Sequence, residues 1–267
     1  MKRPQQPIAL TIAGSDSGGG AGIQADLKTF AALGVHGTSA LTCLTAQNPR
    51  AVTAVHAVPP KFLRAQLEAV FAELPPRAVK TGMLFSARLI REVAGFWRAL
   101  PAKGRPALVV DPVMIATSGA KLLQPAAVKT LLKELLPLAT LVTPNLDEAE
   151  ILVGHPLRSV DDVRMAALEI YLRYGCTTLV KGGHLRGEKQ ATDVLFNGRE
   201  ELTLSVPFVR GVATHGTGCT YSAAIVGYLA LGLGLFEAVE LAKNHITQAI
   251  TQAVQIGKHT ALNAFWE

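Results

Sequence analysis

A glycine-rich turn leads directly into a predicted apolar helix within residues 214–225. The turn contains Gly216, Thr217 and Gly218, and Cys219 stands at the predicted helix start. The first backbone N–H groups of a helix have no intrahelical partner and carry the positive end of the helix dipole. Glycines let a charged ligand approach these groups closely. The segment therefore predicts an anion hole for a phosphoryl group, although a plain turn before a buried helix is the alternative.

The position of Cys219 also suggests a chemical role. A thiol at a helix N-terminus is expected to have a lowered pKa. Cys219 is therefore a candidate acid or base, and the backbone of residues 216–219 supplies the candidate donors.

A second glycine-rich turn follows a predicted strand at residues 14–22. Glycines at 20 and 22 and alanine at 25 imitate a dinucleotide-binding fingerprint. That fingerprint needs an acidic residue about 20 positions further on, but no Asp or Glu occurs between Asp26 and Glu68. The chain also lacks the Gly-x-x-x-x-Gly-Lys-Ser/Thr pattern of a P-loop. Both a Rossmann dinucleotide site and a P-loop phosphotransferase are therefore excluded.

Length and composition favour one α/β domain over residues 1–267. Hydrophobic residues make up 49% of the chain and aromatic residues only 6%, so Ala, Val, Leu and Ile must form most of the core. This composition suits buried parallel strands under closely packed helices. No low-complexity linker or internal repeat interrupts the chain.

Cysteine spacing and charge indicate the cellular setting. Three widely spaced cysteines without a Cys-x-x-Cys pair predict a reducing, cytoplasmic compartment with no disulfide or zinc site. The net charge of +6 is scattered, which favours anionic substrates over nucleic acid. Residues 211–236 carry no Asp, Glu, Lys or Arg, but their continuously apolar part, 223–236, is too short for the roughly 20 residues of a membrane span. A buried helix is expected there.

Short apolar runs alternate with amphipathic stretches along the chain, which predicts a mainly parallel sheet covered on both faces. In such sheets ligands bind beyond the carboxyl ends of the strands. Strands are predicted at 8–13, 38–44, 78–81, 107–110, 140–143, 177–180, 192–196 and 201–206. Helices are predicted at 21–33, 61–74, 86–99, 124–136, 147–153, 160–174, 219–231 and 236–255.

An ordered set of short motifs resembles that of the ribokinase-like small-molecule kinases. Within them, it is most similar to the hydroxymethylpyrimidine and hydroxymethylpyrimidine-phosphate kinases of thiamine biosynthesis. The motifs are Ala-Gly-Ser-Asp (13–16), Gly-Gly-Ala-Gly-Ile-Gln-Ala-Asp-Leu-Lys (19–28), Thr-Ala-Gln-Asn (45–48), Lys-Thr-Gly-Met (80–83), Asp-Pro-Val (111–113), Thr-Pro-Asn-Leu-Asp-Glu (143–148), Lys-Gly-Gly-His (181–184) and His-Gly-Thr-Gly-Cys-Thr (215–220).

This resemblance implies a ribokinase-like three-layer α/β/α sandwich without a separate large lid domain. Sugar kinases of that fold carry aspartate where this chain has Cys219. One departure lies near the C-terminus, where the family usually has Gly-His-Gly-Pro and this chain has Lys-His-Thr-Ala at 258–261. The conformation of residues 257–267 is therefore left open.

The resemblance also assigns the substrate-binding residues. The Gln47 amide offers a donor beside an acceptor, which suits an aminopyrimidine edge; fixing its own loop is the alternative. Met83 and Val113 would pack against the ring, although Met83 could equally belong to the core. The Gly14 backbone and the Asp26 carboxylate would contact the hydroxymethyl end, with a surface helix carboxylate as the alternative for Asp26.

For ATP, the resemblance implies a second group of residues. Asp111 and Glu148 are the Mg²⁺ candidates, through water rather than directly, and Glu148 could instead only stabilise its helix. Asn145 lies three residues before Glu148 and can face the same site. Lys181 and Lys243 would contact nucleotide phosphate, with a solvated lysine as the alternative for Lys243. His215 is expected to be structural.

The implied reaction transfers the ATP γ-phosphoryl group to 4-amino-5-hydroxymethyl-2-methylpyrimidine and then to its monophosphate. A pyridoxal kinase of the same fold is the nearest alternative. A nucleotide- or RNA-binding regulator is a third hypothesis, and the paired carboxylates together with Cys219 count against it. A homodimer is usual for the family.

Overall fold

Nine strands form one continuous sheet in the computed structural model, which describes residues 5–114, 123–183, 185, 188–209 and 215–266. The strands are β1 (Ile8–Asp16), β2 (His36–Asn48), β3 (Ala51–Ala57), β4 (Ala78–Thr81), β5 (Ala107–Val110), β6 (Leu141–Val142), β7 (Thr177–Gly182), β8 (Gln190–Phe196) and β9 (Glu201–Pro207). His184 of the Lys-Gly-Gly-His motif and Thr214, the first residue of the segment 214–225, lie outside the described residues.

The sheet is mainly parallel, which confirms the expectation from the sequence. Its order is β3-β2-β1-β4-β5-β6-β7-β8-β9, and the neighbours from β2 to β7 run parallel. β3 pairs antiparallel with β2, while β8 pairs antiparallel with β7 and β9. The carboxyl ends of the six parallel strands therefore meet at one edge.

Helices cover both faces of this sheet. They are α1 (Gly22–Ala32), α2 (Pro60–Glu73), α3 (Ala87–Ala99), α4 (Pro125–Thr130), α5 (Leu146–Val153), α6 (Val160–Tyr174), α7 (Thr217–Ala230) and α8 (Leu235–Thr251). Phe30, Ile225 and Val239 of α1, α7 and α8 share one core. α2 to α6 contribute to the other core, which includes Trp97 and Val163. This is the predicted three-layer sandwich, and the described residues form no separate large lid domain.

Two predicted helices end differently from expectation. The helix expected at 124–136 is α-helical only as α4 and continues as a π-helical turn, Leu131–Leu135, and a 3₁₀ turn, Leu136–Leu138. α8 stops at Thr251, and a two-stranded hairpin of β10 (Val254–Ile256) and β11 (His259–Ala261) follows. The residues of β10 are exposed, so no burial pattern marks this strand in the sequence.

The charge-free segment contains a buried helix, as predicted for its described part. α7 begins at Thr217, two residues before the predicted start, and most of its side chains are buried. It packs against α1 and α8 beneath the sheet. None of the helices in the described ranges is long and apolar enough to cross a membrane.

Candidate active site

A cavity of about 140 Å³ lies at the carboxyl ends of the parallel strands. We define its acceptor half by Gly14, Gln47, Met83 and Val113, and its nucleotide half by Asp111, Asn145, Glu148 and Lys181. The start of α7 contributes Gly216, Gly218 and Cys219 to the same cavity. Three other predicted site residues, Asp26, Thr217 and Lys243, do not line it.

The start of α7 is shaped for close backbone approach. Gly216 is the N-cap, with φ of 84°, and its carbonyl accepts the Thr220 N–H at 2.9 Å. A Cβ atom on Gly216 would lie 1.9 Å from the Gly20 carbonyl oxygen, so only glycine fits. The N–H groups of Gly218 and Cys219 precede the first intrahelical bond, and helix geometry gives them no acceptor within α7. This is the arrangement of an anion hole.

The expected low pKa of Cys219 is wrong. Removal from water raises the pKa of this thiol to about 11, and the Asp26 and Asp111 carboxylates act in the same direction. The positive charge of Lys80 opposes them without prevailing. The helix terminus is thus outweighed by burial and nearby carboxylates, and in the ligand-free protein Cys219 is a neutral thiol near pH 7.

The backbone of Gln47 supports its loop, and its side chain lines the cavity. Its backbone N–H donates to Ser17 Oγ at 2.8 Å, and Ser17 Oγ donates to its carbonyl at 2.8 Å. Thr45 Oγ1 donates to the side-chain Oε1 at 3.1 Å. Among the described residues nothing accepts a hydrogen bond from Gln47 Nε2. The backbone therefore fixes the loop, while the amide nitrogen lines the cavity with a donor to offer.

The other acceptor-half residues have restricted surroundings. A Cβ atom on Gly14 would lie 2.8 Å from Cys43 Sγ, so a larger residue would displace Cys43, and it would lie in ordinary contact with Met83 Sδ at 3.7 Å. Met83 is half-buried at the cavity wall rather than in the core. Val113 has φ of 43°, a left-handed conformation that a β-branched residue rarely adopts. Such strain concentrates at functional sites.

Asp26 lies beneath the cavity, and its burial rules out one of the two expectations. The carboxylate is fully buried, so the surface alternative is wrong; it is not among the residues that line the cavity, and a contact with the hydroxymethyl end stays a prediction. Asp26 Oδ2 instead accepts from Lys80 Nζ at 2.9 Å and from Thr11 Oγ1 at 2.6 Å. Burial alone would lower the pKa of Lys80, but the Asp26 carboxylate outweighs it and keeps the pKa above its ordinary value.

Lys80 was not predicted as a site residue. Its ammonium lies at the cavity floor, and a Cβ atom on Gly82 would lie 3.0 Å from Nζ. The sequence contains one indication of this role, because Lys80 lies in a strand whose other residues are buried. Lysine is almost never fully buried without a partner. No periodicity could identify Asp26 as that partner, since the two residues are 54 positions apart.

The nucleotide half is an acidic cluster with one lysine. Lys181 Nζ lies 3.4 Å from Asp111 Oδ1, and Ser222 Oγ donates to Asp111 Oδ2 at 3.0 Å. A Cβ atom on Gly218 would lie 3.3 Å from Lys181 Nζ, which places this ammonium beside the anion hole. Lys181 and Asp111 therefore connect the nucleotide half with the start of α7.

Glu148 caps α5 and faces the cavity. Its Oε2 accepts the Asn145 N–H at 3.0 Å while Asn145 Oδ1 accepts the Glu148 N–H at 2.9 Å, a reciprocal capping box. Its Oε1 accepts the Met114 N–H at 3.0 Å. Burial, reinforced by Asp111, raises the pKa of Glu148 to about 7 despite the charge of Lys181.

These carboxylates suit a hydrated Mg²⁺ ion. All four oxygens of Asp111 and Glu148 already accept hydrogen bonds from the protein. The described residues contain no group of three His, Cys, Asp or Glu that could enclose a metal. Mg²⁺ commonly keeps waters and binds through one or two carboxylates and substrate phosphates. The residues fit an ion of that kind and do not fit an all-protein cage.

Lys243 is buried away from the cavity. Its Nζ donates to Asp193 Oδ2 at 2.7 Å and to the Ala191 carbonyl at 3.2 Å. The alternative of a solvated lysine is wrong, because only 6% of the residue is exposed. Asp193 Oδ1 accepts the Gly182 N–H at 3.0 Å, so Lys243 supports the strand end beside Lys181. The structure does not bring it into the cavity as a direct phosphate contact.

Solved structures of small-molecule kinases share this architecture. The chain is similar to a phosphomethylpyrimidine kinase of Clostridium difficile, at 47% identity and a TM-score of 0.80 over 92% of this chain and all of that one. It is also similar to a pyridoxal kinase of Bacillus subtilis in complex with ADP, at 37% identity and a TM-score of 0.86 over 97% of this chain and 98% of that one. The fold and the position of the cavity thus assign the chain to the ribokinase-like kinases.

The chain belongs to the phosphomethylpyrimidine kinase family, whose model matches residues 16–263. It is 51% identical over 255 residues to the hydroxymethylpyrimidine/phosphomethylpyrimidine kinase of Rhizobium meliloti, covering 94% of both chains. It is 49% identical over 249 residues to a thiamine biosynthesis bifunctional protein of Geobacter sulfurreducens; there it covers 93% of this chain but only half of the larger protein. The resemblance drawn from the motifs is confirmed.

Proposed function

We propose that the chain phosphorylates 4-amino-5-hydroxymethyl-2-methylpyrimidine with ATP and then phosphorylates the resulting monophosphate. The observation that carries this proposal is that the residues expected to hold the ring line the same cavity as the start of α7. Gln47 and Met83 line the same space as Gly218 and Cys219. A flat ring held by the first pair would present its hydroxymethyl group toward the second.

The chain's own groups would act mainly by position and charge. Phosphoryl transfer passes through a loose transition state with charge on the equatorial oxygens. The backbone N–H groups of Gly218 and Cys219, with the Lys181 ammonium beside them, would stabilise that charge. Asp111 and Glu148 would hold Mg²⁺ through water, and such an ion neutralises phosphate charge when bound. Lys243 would act by supporting the strand end that presents Lys181.

Cys219 would take the alcohol's proton in the first transfer only. Its raised pKa leaves little thiolate near pH 7, so its contribution belongs at the lower end of the roughly 10²–10⁴-fold typical of general base catalysis. A phosphate acceptor is already anionic near pH 7 and needs no base.

A coupled assay of ADP release tests the proposed function. Purified chain is given ATP and Mg²⁺ with the pyrimidine alcohol, its monophosphate, pyridoxal or no acceptor. We expect turnover with the first two substrates and little without an acceptor. Turnover with pyridoxal alone would establish the second candidate, which the 37% identity to a pyridoxal kinase favours. Absence of turnover with every acceptor would remove the kinase assignment.

The Mg²⁺ role predicts a separate result. Asp111→Asn or Glu148→Gln should raise the Mg²⁺ concentration needed for half-maximal rate, because each change removes a carboxylate group that could hold the hydrated ion. A Mg²⁺ titration at saturating ATP measures it. Curves that coincide with the wild type in both variants would contradict the metal assignment. The homodimer, the cytoplasmic location and the single domain over residues 1–267 remain predictions.

A further inference from the structure

One carboxylate organises the first glycine-rich turn. Asp16 is 3% exposed, and its Oδ1 accepts the Gly18 N–H at 2.8 Å. Its Oδ2 accepts the N–H groups of Gly20 at 3.1 Å and Ala21 at 2.8 Å. Three backbone donors of the turn thus converge on one side chain.

The same oxygen also reaches the second glycine-rich turn. His215 Nε2 lies 3.3 Å from Asp16 Oδ2, and His215 immediately precedes the Gly216 N-cap of the anion hole. The two turns are in backbone contact there, since a Cβ atom on Gly216 would meet the Gly20 carbonyl oxygen. Asp16 therefore joins the first turn to the start of α7 across 199 positions of sequence.

The first turn is tied equally firmly to the acceptor half. The Asp16 N–H donates to Gln24 Oε1 at 2.9 Å, and Gln24 Nε2 donates to Ser15 Oγ at 2.8 Å. Ser17 exchanges two hydrogen bonds with the Gln47 backbone. The strand that carries Gln47 is thus linked by hydrogen bonds to Ser17, Ser17 is bonded covalently to Asp16, and Asp16 is linked by a hydrogen bond to His215 beside the anion hole.

Asp16 is poorly suited to bind an anionic substrate itself. Both of its oxygens are already occupied by protein donors, and its negative charge would repel a phosphate. Burial would raise the pKa of Asp16, but the hydrogen bonds from His215, Gly18 and Ala21 outweigh it and hold the pKa below its ordinary value. The carboxylate therefore stays charged as a fixed acceptor.

We propose that Asp16 and His215 are positioning residues that set the anion hole at the correct distance from the bound acceptor. This inference rests on the proposed function. In-line phosphoryl transfer depends on the relative placement of acceptor and phosphoryl group, and a displacement of about 1 Å can cost about 100-fold in rate. A hydrogen bond that joins the two binding elements fixes that distance before either substrate arrives.

The test compares two substitutions of the same residue. His215→Leu removes the donor to Asp16, whereas His215→Gln keeps an N–H donor on a side chain of similar reach. We expect His215→Leu to lower kcat about 10- to 100-fold for the alcohol and the monophosphate alike, with KM for the pyrimidine within about threefold. His215→Gln should recover most of the rate. Equal loss in both variants, or full activity in His215→Leu, would overturn the proposal.

Hydrogen exchange of the substrate-free protein gives a readout that needs no activity. In His215→Leu the amides of residues 215–219 should exchange faster, while those of 14–22 change less, because Gly18 and Ala21 still donate to Asp16. Asp16→Asn should accelerate exchange in both segments. Unchanged exchange at 215–219 in both variants would overturn the link even if the wild type proved inactive on the pyrimidine.

A matched control is available at the start of α6. Asp162 also accepts two backbone N–H groups, from Arg158 at 2.8 Å and Ser159 at 3.0 Å, but lies in a capping box away from the cavity. Asp162→Asn should leave both transfer rates within about twofold of the wild type. If Asp162→Asn slowed the two transfers as much as Asp16→Asn does, the loss of any carboxylate that accepts backbone N–H groups would be enough to slow the enzyme. That result would count against a positioning role.

Discussion

The acceptor half and the nucleotide half of the cavity balance their buried charges in different ways. Beneath the acceptor half, Asp26 is paired with Lys80 at 2.9 Å, and neither side chain is exposed. In the nucleotide half, Asp111 and Glu148 share Lys181, which is 3.4 Å from Asp111. One half carries no net charge without a ligand, whereas the other has an excess of negative charge.

This difference indicates which half is complete before substrates bind. Under the proposed function the acceptor half would bind a neutral ring, so the Asp26–Lys80 pair can balance its buried charge without a ligand. Under the proposed function the nucleotide half would accept a metal ion together with phosphates, and burial, reinforced by Asp111, raises the pKa of Glu148 there to about 7. We expect substitutions beneath the acceptor half to affect stability most, and those in the nucleotide half to affect pH and metal dependence.

The largest expected effect is on the buried pair. Lys80→Met leaves Asp26 without its charge partner, and breaking a buried pair in this way typically costs about 3–5 kcal/mol. The double variant Asp26→Asn/Lys80→Met removes both charges and should recover most of that loss. Urea denaturation of the wild type, Lys80→Met and the double variant measures these changes in the free energy of unfolding.

A half-buried ion pair between α2 and α3 is the control for this experiment. Arg64 and Glu92 are 32% and 23% exposed in their side chains, and such pairs contribute about 0–1 kcal/mol. Arg64→Met should therefore cost far less than Lys80→Met. Equal losses in the free energy of unfolding would mean that the Asp26–Lys80 pair contributes no more to stability than a half-buried ion pair.

A second prediction concerns pH and Glu148. Its pKa of about 7 lies above the ordinary 4.5, so the folded protein keeps a proton that the unfolded chain has lost. Stability from this group is present below pH 4.5 and is lost as the pH rises through 7, by about 3 kcal/mol at most. Without Mg²⁺ and nucleotide, Glu148→Gln should therefore lose less stability than the wild type between pH 5 and pH 8.

Urea denaturation at the two pH values measures this difference. Glu150→Gln is the control on the same helix, since Glu150 accepts the Leu157 N–H outside the cavity. It should keep the pH dependence of the wild type. If the free energy of unfolding of the Glu148→Gln variant changed with pH as much as that of the wild type, the raised pKa of Glu148 would be contradicted.

Most of the fold, and the identity of most cavity residues, could be predicted from the sequence. The hydrophobic periodicity and the residue composition of the chain predicted the strands of the parallel sheet, and β4 and β5 match their predicted limits. β3 was missed because it is an exposed edge strand without a buried face. The partners of Asp16, Asp26 and Lys243 could not be predicted, since each pair forms only when distant segments meet.

The pKa of Cys219 was harder to predict than its position in the fold. The sequence placed Cys219 correctly at a helix start, and that feature alone lowers a thiol pKa. It did not show that the site removes the thiol from water or that Asp26 and Asp111 lie nearby. A pKa depends on every neighbouring charge, and the charged neighbours of Cys219 come from three separate segments of the chain.

A third prediction tests ring recognition in the acceptor half. Gln47→Ala and Gln47→Glu should raise KM for the pyrimidine far more than for ATP, by about 1–3 kcal/mol, because polar groups of the substrate are left without a partner. Steady-state kinetics with each substrate varied in turn measures this. Thr45→Val is the control, since it removes the hydrogen bonds of Thr45 Oγ1 to Gln47 Oε1 and to the Ser15 carbonyl but keeps the Gln47 amide. Equal losses for both substrates would mean that Gln47 only supports its loop.

The smallest expected effect is also the most selective, because Cys219 lies where the two halves meet. The alcohol must lose a proton as it attacks, whereas the monophosphate is already largely anionic near pH 7. Cys219→Ala should therefore slow the first transfer at least about tenfold and leave the second within a few-fold. Cys219→Asp, with the residue of the sugar kinases, should retain more of the first transfer than alanine does.

The raised pKa of Cys219 adds a pH test to this comparison. If the thiolate is the base, the rate of the first transfer in the wild type should rise with pH toward about 11, because the thiolate fraction rises. The second transfer should lack that rise, and Cys219→Ala should abolish it in the first. Measuring both transfers from pH 6.5 to pH 9.5 separates the roles, since the backbone N–H groups of α7 remain in every variant. Equal slowing of both transfers by alanine, with unchanged pH profiles, would mean that Cys219 shapes the anion hole and takes no proton.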